Sequence, residues 1–307
     1  MKRKILIGPS TFGASDPAAL ERLQDMGFEV INNPFGRKLT KEELSQLLPG
    51  VKGLIAGLEA LDREILKNSE LKVISRCGAG TDNIDLEAAS GLGIKVYSTP
   101  DAPVEAVAEL TVGAMLSLLR FIPQMDRDLH CGKWSKKTGY QLKAKTVAII
   151  GYGRIGRYVA RLLKAFEVKI VAVDPNISAH QAKAEGIKLI ELDEALSIAD
   201  IVSIHVSGNK EILGEKEFAL MKKGAFLLNS SRGSALNEPA LIKAIEGGRL
   251  AGAWLDTFKE EPYSGALTRF DHIILTPHIG SYTRECRRQM EMEAVDNLIS
   301  GFKDLEG

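Results

Sequence analysis

Hydrophobic residues along this chain fall into short aliphatic runs separated by amphipathic stretches, the pattern of strands alternating with helices. Lys4–Gly8, Phe28–Ile31, Val51–Ala56, Leu71–Ser75 and Ile94–Tyr97 read as strands. A helix is predicted after the cap Asp16, with Pro17 at its first position, Leu20, Leu23 and Met26 on one face, and Gly27 ending it. Further helices are predicted over Lys41–Leu48, Asp62–Lys67 and Asp85–Ser90. The alternation breaks at Ser98-Thr-Pro-Asp-Ala-Pro103. A long helix then runs from Val104 to about Phe121, with Val107, Leu110, Thr111, Ala114, Met115 and Leu118 at helical spacing. Residues 122–144 read as polar and irregular. A second series follows: strands at Thr146–Ile150, Val168–Val173, Asp200–Val206, Gly224–Asn229, Ala251–Leu255 and His272–Leu275, helices at Arg157–Phe166 and Asn237 to about Glu246, and a closing helix from Thr283 to about Leu305. Alternation of this kind implies parallel sheets with right-handed crossovers and helices on both faces, an α/β chain of two doubly wound units.

One junction stands apart. The run Thr146–Ile150 passes directly into Gly151-Tyr-Gly153-Arg154-Ile155-Gly156 and then into a helix. In a dinucleotide-binding turn the first glycine permits the tight turn, the second lets the backbone approach a pyrophosphate, and the third lets helix and strand pack closely. The diphosphate would rest on the N–H groups at the helix start. The next strand ends at Asp174, roughly 20 residues on, where a carboxylate binds the adenosine ribose hydroxyls. Pro175 follows, and no Arg stands beside the acid to hold a 2′-phosphate, so NAD rather than NADP is the expected cofactor.

Composition narrows the picture further. The 307 residues are enough for two domains. Lys+Arg and Asp+Glu are both 40, giving a net charge of zero and no basic stripe that calls for nucleic acid or a membrane surface. No apolar run approaches a membrane span, and the first residues are too short and strand-like for a signal peptide. Cys77, Cys131 and Cys286 show no CxxC spacing, so reduced thiols in a cytoplasmic protein are expected. No His/Cys/Asp cluster has metal-ligand spacing.

Polar residues just past predicted strands sit where open α/β sheets keep their ligand crevice. Three such stretches are Asn229-Ser-Ser-Arg232-Gly233, Asp256-Thr-Phe-Lys-Glu-Glu261-Pro262 and Thr276-Pro-His278-Ile-Gly280-Ser281. Together an Arg, a Glu and a His suit reduction of a 2-keto acid. Arg232 can grip a carboxylate through its planar fork and polarise the adjoining carbonyl. His278 can deliver the proton, since an imidazole titrates at about 6.5 when unperturbed. Glu261 can fix its tautomer. Taken singly, a His at a strand end or an Arg-Gly pair is more often a plain hydrogen-bonded turn. His205 reads as structural, and His130, His180 and His272 have no companions.

These stretches, with Arg76-Cys-Gly-Ala-Gly-Thr-Asp-Asn-Ile-Asp85, Ala106-Val-Ala-Glu-Leu-Thr111 and Gly252-Ala-Trp-Leu-Asp256, resemble the D-isomer-specific 2-hydroxyacid dehydrogenases, in particular their phosphoglycerate dehydrogenase branch, from about residue 50 to 290. The resemblance implies a flavodoxin-like substrate domain, residues 1–98 and 281–307, and a Rossmann NAD domain, residues 99–280. Hinges near Ser98–Pro103 and Gly280–Thr283 would let a cleft between them close. It implies catalytic roles for Arg232, Glu261 and His278, and a loop of Arg76, Gly78, Ala79 and Gly80 that receives the substrate carboxylate. NAD contacts are implied at Gly151, Gly153, Arg154, Ile155, Gly156, Asp174, Val206, Ser230, Ser231, Asp256, Ile279, Gly280, Ser281, Thr111 and Ala79. It also implies a homodimer through the helix and arm at 104–140.

The implied activity is oxidation of 3-phosphoglycerate to 3-phosphohydroxypyruvate, the entry to serine biosynthesis. Reduction of hydroxypyruvate or glyoxylate is the runner-up. An NAD-sensing corepressor is a more distant alternative, and Glu261 speaks against the formate-oxidising relatives, which carry an amide there. The chain departs from the family in ways that bear on substrate. Animal-type phosphoglycerate dehydrogenases carry an Arg where this chain has Gly57, so a second positive charge for a phosphate is missing, although Arg76 remains. The usual Pro after the adenine loop is Ser207, and the usual Asp before the helix acid is Asn237. With the sequence ending at Gly307, serine feedback through an appended domain is not expected.

Overall fold

Each strand in this computed structural model, which describes residues 2–305, pairs in parallel with its neighbours. The first series is β1 (Lys4–Ile7), α1 (Ala18–Asp25), β2 (Glu29–Asn32), α2 (Lys41–Leu47), β3 (Val51–Ala56), α3 (Arg63–Lys67), β4 (Val73–Arg76), α4 (Leu86–Gly91) and β5 (Lys95–Ser98). Helices α5 (Val104–Leu119) and α6 (Ile122–His130) follow. The second series is β6 (Thr146–Ile150), α7 (Arg154–Leu163), β7 (Lys169–Val173), α8 (Ala179–Ala184), β8 (Lys188–Leu189), α9 (Leu192–Ile198), β9 (Ile201–Ile204), α10 (Glu215–Leu220), β10 (Ala225–Asn229), α11 (Glu238–Glu246), β11 (Leu250–Leu255) and β12 (Ile273–Leu275). Helix α12 (Arg284–Lys303) closes the chain. No single helix among the described residues is long and apolar enough to cross a membrane.

The chain divides into two compact units, Met1–Pro103 with Ser281–Gly307, and Val104–Gly280. The chain passes from one unit to the other after Pro103 and after Gly280, so the Ser98–Pro103 stretch belongs with β5. In the first unit the strand order is β2-β1-β3-β4-β5; in the second it is β12-β11-β10-β9-β6-β7-β8. Both are doubly wound: successive strands add outward to one side, then the chain returns to the middle and builds the other way.

Strand alternation sorts the cores. On β1, Ile5 and Ile7 face the side covered by α1 and α12, with Leu23, Leu298 and Phe302, while Leu6 joins Leu44, Leu54 and Ile65 on the other. In the second unit Val147 and Ile149 pack with Leu118 and Val159, while Ala148 and Ile150 pack with Leu196, Leu227 and Leu241. Each fully buried aliphatic side chain contributes about 1.5–3 kcal/mol, which fixes strand register firmly.

Three expectations need correction. Residues 122–130 are helical, not irregular: Pro123 sits in the first turn of α6, where a missing N–H costs nothing, and Gln124 is buried. Helix α7 starts at Arg154, straight from the glycine turn, and its last expected residues, Lys164–Phe166, tighten into a 3₁₀ turn. Asp16 does not cap by the usual reach to the third residue; its Oδ1 takes the Ala18 N–H at 2.9 Å, and the helix begins at Ala18. The residues that open four other expected helices act as caps: Asp62, Asp85, Asn237 and Thr283 each accept from the backbone N–H three residues on.

Candidate active site

In the seven-stranded sheet the winding reverses between β6 and β9, so their C-terminal ends open the crevice. Gly151 adopts φ +91°, and a Cβ there would lie 2.5 Å from the His205 carbonyl oxygen at the end of β9. A Cβ at Gly156 would lie 2.2 Å from the Gly151 oxygen, so strand and helix can meet only with glycine there. At Gly153, which precedes the first turn of α7, a Cβ would meet nothing within 4 Å. The space beside Gly153 at the start of α7 is therefore open, which fits the approach of a diphosphate to a helix start. At the end of β7, Asp174 Oδ2 accepts the Tyr152 N–H at 2.8 Å and Oδ1 the Asn176 N–H at 2.8 Å. This ties the acid to the glycine turn and leaves lone pairs for ribose hydroxyls. His205 bonds to Ser203 Oγ at 2.8 Å, and burial holds its pKa down at about 4, a neutral structural ring as expected. Val206 follows it directly, beside Gly151.

The reactive groups stand on the other half of the same sheet. Arg232 follows β10, Glu261 follows β11 and His278 follows β12, three adjacent strands spaced about 4.8 Å apart. His278 Nδ1 and Glu261 Oε2 are 2.9 Å apart, both side chains about a third exposed. Glu261 is itself oriented by the Phe258 N–H, which donates to Oε1 at 3.0 Å. With Nδ1 engaged, Nε2 is the ring atom that can exchange a proton.

His278 occupies the left-handed region, φ 54°, which costs a non-glycine residue about 1 kcal/mol or more. Asp256 holds it there. This fully buried carboxylate accepts from Thr276 Oγ1 at 2.6 Å, the Ile279 N–H at 2.8 Å and the Gly280 N–H at 2.8 Å. Thr276 Oγ1 in turn accepts from Trp254 Nε1 at 2.9 Å. Burial pushes the Asp256 pKa up, against the pull of these donors and of His278. The sequence expects this acid to meet a nicotinamide amide; fully buried under three donors, it is placed to act through the Thr276–Gly280 turn.

The turn carrying Arg232 is built by Asn229, fully buried at the end of β10. Its Nδ2 donates to the Arg232 carbonyl at 2.8 Å, and its Oδ1 accepts the Ser231 N–H at 3.0 Å and Ser231 Oγ at 2.8 Å. Arg232 Nη1 donates to the Ser231 carbonyl at 2.8 Å. Ser231 therefore commits its hydroxyl to the turn. Ser230 Oγ lies 3.5 Å from Thr111 Oγ1, which donates to the Val107 carbonyl at 2.7 Å on α5.

The remaining expected residues lie in the first unit. Arg76 ends β4, largely buried, with Nη1 donating to the Cys77 carbonyl. The Gly78 N–H donates to Thr99 Oγ1 at 2.7 Å, so this amide is already engaged, whereas Ala79 is exposed and Gly80 half-buried. Ser281 begins the returning segment of that unit. Asn229 and Thr276 are supporting residues that sequence reading passes over, because their roles are toward the backbone and other side chains. No group of three or more His, Cys, Asp or Glu among the described residues could hold a metal ion.

A model of the D-isomer specific 2-hydroxyacid dehydrogenase NAD binding domain matches residues 112–280. The chain is 36% identical over 296 residues to the D-3-phosphoglycerate dehydrogenase of Archaeoglobus fulgidus, covering 94% of this chain but 56% of that protein. It thus spans little more than half the length of that relative. It is 38% identical over 259 residues to the glyoxylate reductase of Thermococcus litoralis, covering 80% of this chain and 78% of that one. The crystal structure of D-lactate dehydrogenase from Aquifex aeolicus, complexed with NAD and lactic acid, superposes with a TM-score of 0.86 at 26% identity, covering 99% and 97% of the two chains.

Proposed function

This chain belongs to the D-isomer-specific 2-hydroxyacid dehydrogenases, and from that premise we propose that it interconverts a short D-2-hydroxy acid and its 2-keto acid with NAD. The observation that carries the reading is the 2.9 Å pair of His278 and Glu261, which follow β12 and β11 in the row β12-β11-β10 whose third strand leads to Arg232.

The N–H groups at the start of α7 and Asp174 would hold NAD, with Asp256 acting through the Thr276–Gly280 turn, and the cofactor when bound would supply or accept the hydride. Arg232 binds the substrate carboxylate and draws electron density from the neighbouring carbonyl. In reduction, Nε2 of protonated His278 gives its proton to the carbonyl oxygen; in oxidation the neutral ring takes the hydroxyl proton. Glu261 keeps the proton of the neutral ring on Nδ1 and stabilises the charged ring, so one residue serves both directions. In the Arg76–Gly80 loop the Cys77 and Gly78 amides are already engaged, and exposed Ala79 is the proposed further donor to the carboxylate. Asp174 opposes a 2′-phosphate by charge, which supports NAD over NADP.

For the substrate, the names of the curated relatives support 3-phosphoglycerate and 3-phosphohydroxypyruvate. The absence of any side chain at Gly57 favours a second reading, reduction of hydroxypyruvate or glyoxylate. Ile122, Leu129, Trp134 and Tyr140 are large apolar side chains exposed on α6 and the arm after it, Trp134 by 80%. They support a homodimer through this segment.

The test is loss of NADH absorbance with 3-phosphohydroxypyruvate, hydroxypyruvate and glyoxylate in parallel. Replacing His278 with Ala is expected to lower turnover by at least about 10²-fold, the scale of a positioned acid–base group. Near-normal turnover in that variant would remove His278 from the reaction.

A further inference from the structure

In the five-stranded sheet the winding reverses between β1 and β3, so the crevice of this unit opens at their C-terminal ends. That crevice is filled from within. Glu59, just past β3, is 1% exposed, and its carboxyl folds back over the end of its own strand. Oε1 accepts the Gly57 N–H at 2.7 Å, and the carboxyl also draws on Glu59's own N–H. Asn83 Nδ2 locks this loop by donating to the carbonyls of Gly57 at 3.2 Å and Glu59 at 2.6 Å. Space for the carboxyl is made by glycine on both strands. A Cβ at Gly8 would lie 2.1 Å from Oε1, and one at Gly57 would lie 2.9 Å from Oε2. Gly57 is therefore no vacancy: it gives its space to an acid two residues later.

We propose that Glu59 is a built-in acceptor occupying the amide pocket at the end of β3, and that it restricts the substrate to 2-keto acids without a phosphate. This rests on the dehydrogenase reading, in which the Arg76–Gly80 loop receives the substrate carboxylate. Ala56 pairs with Arg76 in register, so Gly57 lies one strand, about 4.8 Å, from the start of that loop. A substituent extending from the substrate toward β3 meets amides whose hydrogen bonds are already taken. Exclusion here is by occupancy. Burial pushes the Glu59 carboxyl above the ordinary carboxylate range, against the pull of the two amides, Arg76 and Lys38. Neutral or charged, its oxygens accept the same N–H groups. An incoming phosphate forfeits at least one charge-assisted hydrogen bond, worth about 10-fold or more in affinity.

The experiment compares kcat/KM for 3-phosphohydroxypyruvate and hydroxypyruvate in the wild type, Glu59→Ala and Glu59→Gln, with the thermal shift produced by inorganic phosphate as a second readout. Glu59→Ala should raise the ratio in favour of the phosphorylated acid by about 10-fold or more, and phosphate should raise its Tm but not that of the wild type. Glu59→Gln keeps an accepting oxygen in place and should behave as the wild type. Glu59→Ser, which retains a small acceptor, replaces the Ala variant if that one does not fold. An opened variant with an unchanged ratio and no phosphate shift overturns the proposal. So does Glu59→Gln matching Glu59→Ala, which would make charge rather than occupancy the cause, and so does a wild type that strongly prefers the phosphorylated acid. A wild type inert toward every 2-keto acid overturns the dehydrogenase reading instead, while the phosphate shift still decides the fate of the pocket.

Discussion

Exchanging Glu261 for Gln changes one atom and tests the proton relay directly. The carboxylate serves two donors, the Phe258 N–H on Oε1 and His278 Nδ1 on Oε2. A primary amide has one accepting oxygen, so either orientation loses one of these bonds, at about 0.5–1.5 kcal/mol. The charge that stabilises the imidazolium is also lost. For a pair about a third exposed, this removes roughly 1–2 kcal/mol, less than in a sealed site. Together about 2–3 kcal/mol corresponds to a fall of about 30- to 150-fold in kcat/KM for reduction. Oxidation should fall as well. An amide –NH₂ turned toward the ring makes Nδ1 an acceptor and places the neutral ring's proton on Nε2, the wrong tautomer for a base. The assay is NADH absorbance in both directions across a pH series. The pH profiles of both directions should differ from those of the wild type, since Glu261 faces the ring that exchanges the proton. A loss under about 3-fold in both directions, with unchanged pH profiles and an unchanged Tm, would refute a role for Glu261 through His278.

Other outcomes follow from the same geometry. Asp174→Ala should weaken NAD and relax discrimination against NADP; an unchanged preference in kcat/KM would take Asp174 out of the ribose site. His205 titrates near 4 in the folded protein, below the roughly 6.5 of the unfolded chain, so its contribution to stability is complete above about pH 6.5 and is lost as pH falls toward 4. With some solvent contact allowed for, that loss is about 2–3 kcal/mol, and denaturant titrations of His205→Asn should show a flatter pH dependence over that window. If the arm after α6 joins two copies, Trp134→Ser should raise the dissociation constant measured by light scattering; identical dilution curves would argue against it.

Much of this architecture could be read from the sequence because parallel strands buried on both faces leave unbroken aliphatic runs, as at Val147–Ile150 and Leu227–Leu228. The glycine turn and the Arg, Glu and His were legible because each follows such a run. Helix α6 was hidden by its polarity, and its apolar residues Ile122 and Leu129 face outward. Asn229 and Thr276 left no pattern, since hydrogen bonds to a turn carry no periodicity. The packing role of Gly57 left no signal for a similar reason. Its neighbour in space is Gly8, and only folding brings the two glycines to one carboxyl.

The order of strands in the larger sheet separates two jobs. Asp174 follows β7 and Glu261 follows β11, with β6, β9 and β10 between them, a separation of about 19 Å at 4.8 Å per strand. Side chains that far apart, sharing no partner, should contribute independently, so the Asp174→Ala, Glu261→Gln double variant should show the product of the two single losses. Cofactor choice could then be re-engineered on one flank of the sheet without retuning proton transfer on the other.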